Sequence, residues 1–203
     1  MGGTAYFIVE KDSDGSSANL LIDTPACTPD TVKFLEQHGG VNQWVITHRG
    51  AIGDVKTLQE ALQCEVVVQE QEAYLLPDTP NVVQYPVSYP LSPSSEAIWT
   101  PGHSPGSACV YYKGHGGVLF TGRHLLPDRS GHIVPLRFSK TFHWPRQLQS
   151  VEKLQARFSS ETLSYICPAA NTGFLRGRHM MVDAYAQLQA IKVPPLLNSP
   201  AML

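Results

Sequence analysis

The chain has no excess of charge of either sign. Across 203 residues, 15 Lys and Arg stand against 17 Asp and Glu, a formal net charge of -2. A nucleic-acid partner or an anionic membrane surface is therefore not expected, since both need a concentrated basic footprint. No apolar run approaches the roughly 20 residues that span a bilayer. The N-terminus lacks a basic region followed by an apolar one, so a secreted destination has no support. Cysteine is sparse. Cys27, Cys64, Cys109 and Cys167 lie far apart and form no C-x-x-C pair. They read as thiols in a reducing compartment, the cytoplasm or its equivalent, and not as a disulfide framework. No internal repeat, Ser/His/Asp signature or phosphate-cradling glycine loop is present; Gly114 to Gly117 reads as a turn between strands. A chain of this length buries roughly 70% of its unfolded surface, so it needs no disulfide or metal to fold.

What is present alternates between short apolar strands and amphipathic helices. Tyr6 to Val9 and Asn19 to Ile22 read as strands around the polar turn Lys11 to Ser17. Thr28-Pro29-Asp30 opens a helix, with a hydroxyl at the N-cap and a proline where no N–H is needed; Gly39-Gly40 closes it. Gln43 to Thr47 and Glu65 to Val68 read as strands. Between them, Asp54 to Gln63 sets Val55, Leu58 and Leu62 on one helical face. The prolines between residues 77 and 95 leave room only for loops and edge strands. Gln147 to Arg157 is a helix with Leu148, Val151 and Leu154 inward, and Leu163 to Cys167 is a strand. Arg178 to Ile191 reads as a last helix with Met181, Ala184, Leu188 and Ile191 on one stripe. The pattern predicts a layered α/β domain over residues 1–192, with 193–203 as a disordered tail.

The most specific stretch is Thr100 to Ser107, T-P-G-H-S-P-G-S, set between the strands Glu96 to Trp99 and Ala108 to Tyr112. Leu119-Phe120-Thr121-Gly122 follows. This order resembles the metallo-β-lactamase superfamily, and the resemblance covers about Tyr6 to Ile191. It implies a four-layer αβ/βα sandwich with the site at one edge. It also implies metal ligands: the His of the T-P-G-H loop, an Asp after L-F-T-G, a T-H-x-H-x-D-H motif after an earlier strand, and the His of a late P-G-H-G. Here His103 is kept, but Arg123 follows Gly122 and Pro168-Ala169-Ala170-Asn171 replaces the late motif. The first motif is Thr47-His48-Arg49-Gly50-Ala51-Ile52-Gly53-Asp54-Val55. At the usual spacing only His48 survives, with Gly50, Ile52 and Gly53 at the other positions. A branch often fused to ferredoxin-type domains carries T-H-R-D-D-x-x-D-H. Thr47, His48, Arg49 and Asp54 match that form, as does Trp144-Pro145 before the late helix, while Gly50, Ala51 and Val55 depart from it.

The resemblance thus implies a metal enzyme whose ligands are mostly gone. A dinuclear zinc site takes roughly six to eight protein donors and lowers the pKa of a bound water to about 7. Only His48, His103 and Asp54 remain. Arginine has donors alone and stays charged, so Arg123 cannot ligate a cation. The expectation is that no metal is held, that Arg123 replaces it electrostatically and that Asp54 pairs with Arg123. The cleft of His48, Arg49, Asp54, His103, Arg123 and Asn171 would then bind a protein or a small anionic molecule without catalysis. The alternative is a hydrolase of a thioester, lactone or phosphoester that keeps one Zn or Fe ion on His48, Asp54 and His103. Two histidines and one carboxylate also suit iron, and Asp54 would be its catalytic carboxylate. A third reading, a domain working beside a redox partner, rests only on the ferredoxin-fused branch. Plainer roles are open as well. His48 and His103 can hold loops by hydrogen bonds, Asp54 can be an N-cap, Arg123 can be exposed, and Cys167 can be a buried strand-end thiol. His124, His132 and His143 read as loop residues.

Overall fold

The computed structural model describes residues 3–201. Two five-stranded sheets face each other, each with helices on its outer side. The first sheet has the order β1 (Tyr6–Ile8), β2 (Leu20–Ile22), β3 (Gln43–Ile46), β4 (Glu65–Gln69), β5 (Val82–Tyr85). Only β1–β2 is antiparallel. Helices α1 (Pro29–Gln37) and α2 (Val55–Leu62) are its crossovers. The second sheet contains β6 (Ser88–Ser92), β7 (Ser95–Trp99), β8 (Ala108–Tyr112) and β9 (Val118–Gly122). A two-stranded ribbon, β10 (Leu126–Pro127) and β11 (Ile133–Val134), follows, then α3 (Trp144–Arg157) and β12 (Tyr165–Pro168). β12 joins the second sheet beside β9 in parallel, giving the order β12-β9-β8-β7-β6. Short helices α4 (Ala184–Ala190) and α5 (Val193–Leu196) end the described chain.

Period-two alternation builds the layers. In β3, Trp44 and Ile46 face α1 and α2, while Val45 faces the other sheet. In β4, Val66 and Val68 point outward to the helices and Val67 inward. The second sheet mirrors this: Cys109 and Leu119 pack against α3 and α4, whereas Ala108, Val110, Val118 and Phe120 fill the space between sheets. Each fully buried Val or Leu contributes about 1.5–3 kcal/mol. A continuously apolar strand is what two covered faces require. This is the αβ/βα sandwich the sequence predicts.

Local expectations hold where a cap or a period decides them. Thr28 caps α1 by accepting from the Thr31 amide, with Pro29 at the first turn. The proline-rich stretch does yield edge strands, β5 and β6. Three segments differ. α3 begins at Trp144, because the His143 ring caps it by accepting from the Arg146 amide. The last long helix does not start at Arg178: Met181 bonds through both N–H and C=O to Ile166 at the edge of β12, and Asp183 is left-handed. The apolar stripe is still buried, but Met181 reaches it as extended chain. The described part of the expected tail, 193–201, folds back instead; 202 and 203 lie outside the described residues. Val193 is buried, Trp144 Nε1 donates to the Leu196 carbonyl at 2.8 Å, and α5 packs on α3.

All the loops that matter leave the same edge of the sandwich, after β2, β3, β7, β9 and β12. The Ala108 amide donates across to the Thr47 carbonyl at 2.8 Å and ties the two sheets there. Gly102 sets the height of the 100–107 loop. Its φ is +144°, and a Cβ would stand 2.3 Å from the Gln147 backbone of α3. Gly102→Ala is expected to lower stability by about 2 kcal/mol or more, whereas Gly173→Ala, which meets open space, should cost under about 0.5 kcal/mol. Urea unfolding of both variants checks this; equal midpoints would show that the loop does not depend on that contact.

Candidate functional site

At the end of β2 the chain turns at Asp23, which is left-handed (φ 62°) and only 4% exposed. Its carboxylate accepts from the Thr47 amide at 2.8 Å and from the Thr47 hydroxyl at 2.7 Å. Thr47 Oγ1 lies 3.0 Å from His48 Nδ1, and Asp23 Oδ2 lies 4.0 Å from the same nitrogen. The buried acid therefore fixes the ring of His48, which is 3% exposed. Burial pushes the Asp23 carboxyl up to about 6, although Thr47 and the charge of Arg123 pull it down.

From the second sheet, the 100–107 turn is held by its own backbone, Thr100 N–H to Ser107 C=O at 2.8 Å, and by Ser150 Oγ donating to Pro101. It delivers His103 to within 5.6 Å of His48, ring centre to ring centre, edge to face. Arg123 enters after β9. Gly122 before it is left-handed (φ 52°) and packs where a Cβ would stand 2.5 Å from Thr47 Oγ1. Asn171, also left-handed, follows β12 and donates to the Pro127 carbonyl.

These residues open onto one cavity of about 660 Å³, within the range usual for small-molecule sites. His48, Arg49, His103, Arg123 and Asn171 line it, joined by Ser104, Lys140, Phe138 and Leu126. No carboxylate among the described residues lines it. Arg49 donates to Glu72 at 3.0 Å, and that acid is 1% exposed. Arg123 and Lys140 are in no ion pair among the described residues. The resulting field is positive. Burial, then Arg123 and Arg49, holds His103 down at about 4. Burial, His103 and Arg123 hold His48 well below the usual imidazole range.

Two expectations are corrected. Asp54 is exposed and does not line the cavity; the tight turn Arg49–Ala51 and the left-handed Gly53 carry it away. It stands at the N-cap of α2 without a side-chain capping bond and does not pair with Arg123. The charge of Arg123 is felt instead by the buried Asp23, whose carboxyl it draws down. Val55 points into the core between α2 and the first sheet, so the stretched motif does not aim it at the cleft. Gly50 and Ala170, at the usual spacing, do line the cavity. Sequence reasoning missed Asp23, Lys140, Phe138 and Glu72. An acid closing an apolar strand was a usable signal for Asp23; nothing marked the others. His124 lies in the turn between β9 and β10, as expected, but is fully buried, with neither ring nitrogen bonded among the described residues, and is held at about 3 by burial and His103.

A family model described as the metallo-beta-lactamase superfamily matches residues 2–163. The chain belongs to the metallo-beta-lactamase superfamily. Solved structures of the same fold agree. The B3 metallo-beta-lactamase BLEG-1 superposes with a TM-score of 0.68 at 18% identity, covering 97% of this chain and 95% of that one. The archaeal superfamily protein ST1585 from Sulfolobus tokodaii gives 0.61 at 15%, over 92% and 77%. TTHA1623, solved in a di-iron-bound form, gives 0.59 at 22%, over 83% and 87%. No curated protein matches the sequence. The metallo-beta-lactamase fold implies a metal centre, and the donors present do not fit one. Two imidazoles face the cleft beside an arginine, and no group of three His, Cys, Asp or Glu is placed for a cation among the described residues. The single-metal set of His48, Asp54 and His103 does not converge.

The buried imidazoles give a pH dependence. His48, His103 and His124 are held neutral in the native chain but protonate freely when unfolded. Stability is thus unaffected above about pH 6.5 and falls below it, as the unfolded chain takes up protons the native chain refuses. Asp23, raised to about 6, protonates first in the native chain and returns some stability as pH falls through that range. One carboxyl set against three imidazoles leaves a net loss, each tenfold difference in proton affinity between the two states being worth about 1.4 kcal/mol. Denaturation midpoints should fall steeply from pH 6.5 toward 4, and His124→Leu should flatten the fall. A flat profile would contradict neutral buried rings.

Proposed function

We propose that this superfamily member is a non-catalytic binding domain whose cleft holds a small organic anion, with Arg123 standing in place of the metal charge. The observation that carries this is a guanidinium that, among the described residues, has no ion-pair partner and sits in a cavity with Lys140 and no lining carboxylate. Leu126, Phe138 and Ala170 give the ligand an apolar wall. An anion entering such a cleft meets a preset positive potential and partly desolvated donors. The ligand is thus an anionic group on an apolar body. Neither His48 nor His103 is poised as a general acid near neutral pH, since both rings are held uncharged there. Four unpaired cysteines, three of them buried, support a reducing compartment.

The fluorescent probe 8-anilinonaphthalene-1-sulfonate, an anion on an aromatic body, tests this reading. It should bind the native protein at near-neutral pH and low salt. Arg123→Ala should weaken binding by roughly tenfold or more, and Arg123→Lys by less. A probe that binds equally well to Arg123→Ala would refute the assignment.

A further inference from the structure

A second concave surface of about 460 Å³ lies beside the cleft. Only the short turn Thr172–Leu175 separates them: Thr172 and Gly173 line the cleft, Phe174 and Leu175 the groove. The groove gathers three large apolar side chains left outside the core: Phe174 (40% exposed), Met180 (46%) and Val182 (43%). Arg176 and Arg178 line it as well, and among the described residues no acidic side chain does. Neither arginine is in an ion pair among the described residues. In a chain of net charge -2, this is a local reversal of sign.

The backbone there is also unusual. Met181 spends its N–H and C=O on Ile166, covering the edge of β12 by one bridge. The Val182 carbonyl accepts from Gln187 Nε2 at 3.0 Å, and the chain bends on either side of the bridge, at Met180 and at Val182. Neither donates a backbone hydrogen bond among the described residues. Two amides are thus left over beside aliphatic side chains and cations. An extended peptide laid in such a groove gains affinity from main-chain bonds and specificity from its side chains.

We infer that this groove docks an extended acidic segment of a partner protein, whose carbonyls accept from the Met180 and Val182 amides and whose carboxylates lie against Arg176 and Arg178. Aliphatic Met180 and Val182 suit such a segment, whereas a single-stranded nucleic acid needs aromatic platforms and a longer basic track. The proposal is independent of the cleft reading.

A labelled peptide of about eight residues, alternating Glu and Val, is the probe, with fluorescence anisotropy as the readout. Binding in the micromolar range is expected, weakened by added salt and by about tenfold or more in Arg176→Glu/Arg178→Glu. Arg176→Gln/Arg178→Gln, a milder change, should lie between. Amide exchange at Met180 and Val182 should slow on binding. Arg123→Ala should leave the peptide affinity unchanged, which separates this surface from the cleft. The inference is overturned if the peptide does not bind, or if the double variants bind it equally. Slowing confined to the cleft loops overturns it too, as does tighter binding of an oligouridylate of equal length.

Discussion

One buried carboxylate organises the edge of this molecule. Asp23 ends β2 in a left-handed turn and binds both the amide and the hydroxyl of Thr47. Thr47 in turn positions His48, receives the Ala108 amide from the opposite sheet and seats Gly122. Hydrogen bonds to a charged group are worth about 1.5–3 kcal/mol each, and losing one partner leaves a buried charge exposed to its full desolvation cost. The two sheets are thereby locked in register where the loops after β3 and β9 emerge. Arg123 follows Gly122 directly, so its placement over the cleft depends on that lock.

The electrostatic logic of the cleft follows. In this superfamily, the position after L-F-T-G carries a bridging acid by resemblance, and a cation balances it. Here a cation that belongs to the chain stands at that position, and its charge is felt by the buried Asp23. Two metal ions and a guanidinium would repel one another in a cavity with no lining carboxylate. A fixed charge also suits a binding site better than a reactive one. In the proposed role it needs no loading, and the rings beside it are held uncharged near pH 7.

The fold was legible because its signals are local and repeated. Val66-Val67-Val68 and Trp44-Val45-Ile46 alternate between two cores, and Thr28-Pro29 is a cap that few other structures explain. The T-P-G-H loop and L-F-T-G placed His103 and Arg123 on one edge through the family resemblance they carry. What failed depended on three dimensions. Helical periodicity from Arg178 was overridden by a single bridge to β12. Asp54 matched a motif by spacing, but the turn before it decides where a side chain points, and Gly53 sends it outward. Lys140 and Phe138 come from a long connection with no periodic pattern, so only the folded chain reveals them as cleft walls.

Zinc retention is the most direct test of the claim that a guanidinium has taken the metal's place. The parent and an Arg123→Asp/Ala170→His variant would be equilibrated with zinc, dialysed and analysed for metal per chain. Both changed positions line the cavity with His48 and His103. The account predicts well below one zinc per parent chain and close to one in the variant, since a carboxylate and an imidazole complete a four-donor set. About one tightly held zinc in the parent, or none in a variant whose circular-dichroism spectrum is unchanged, would contradict it.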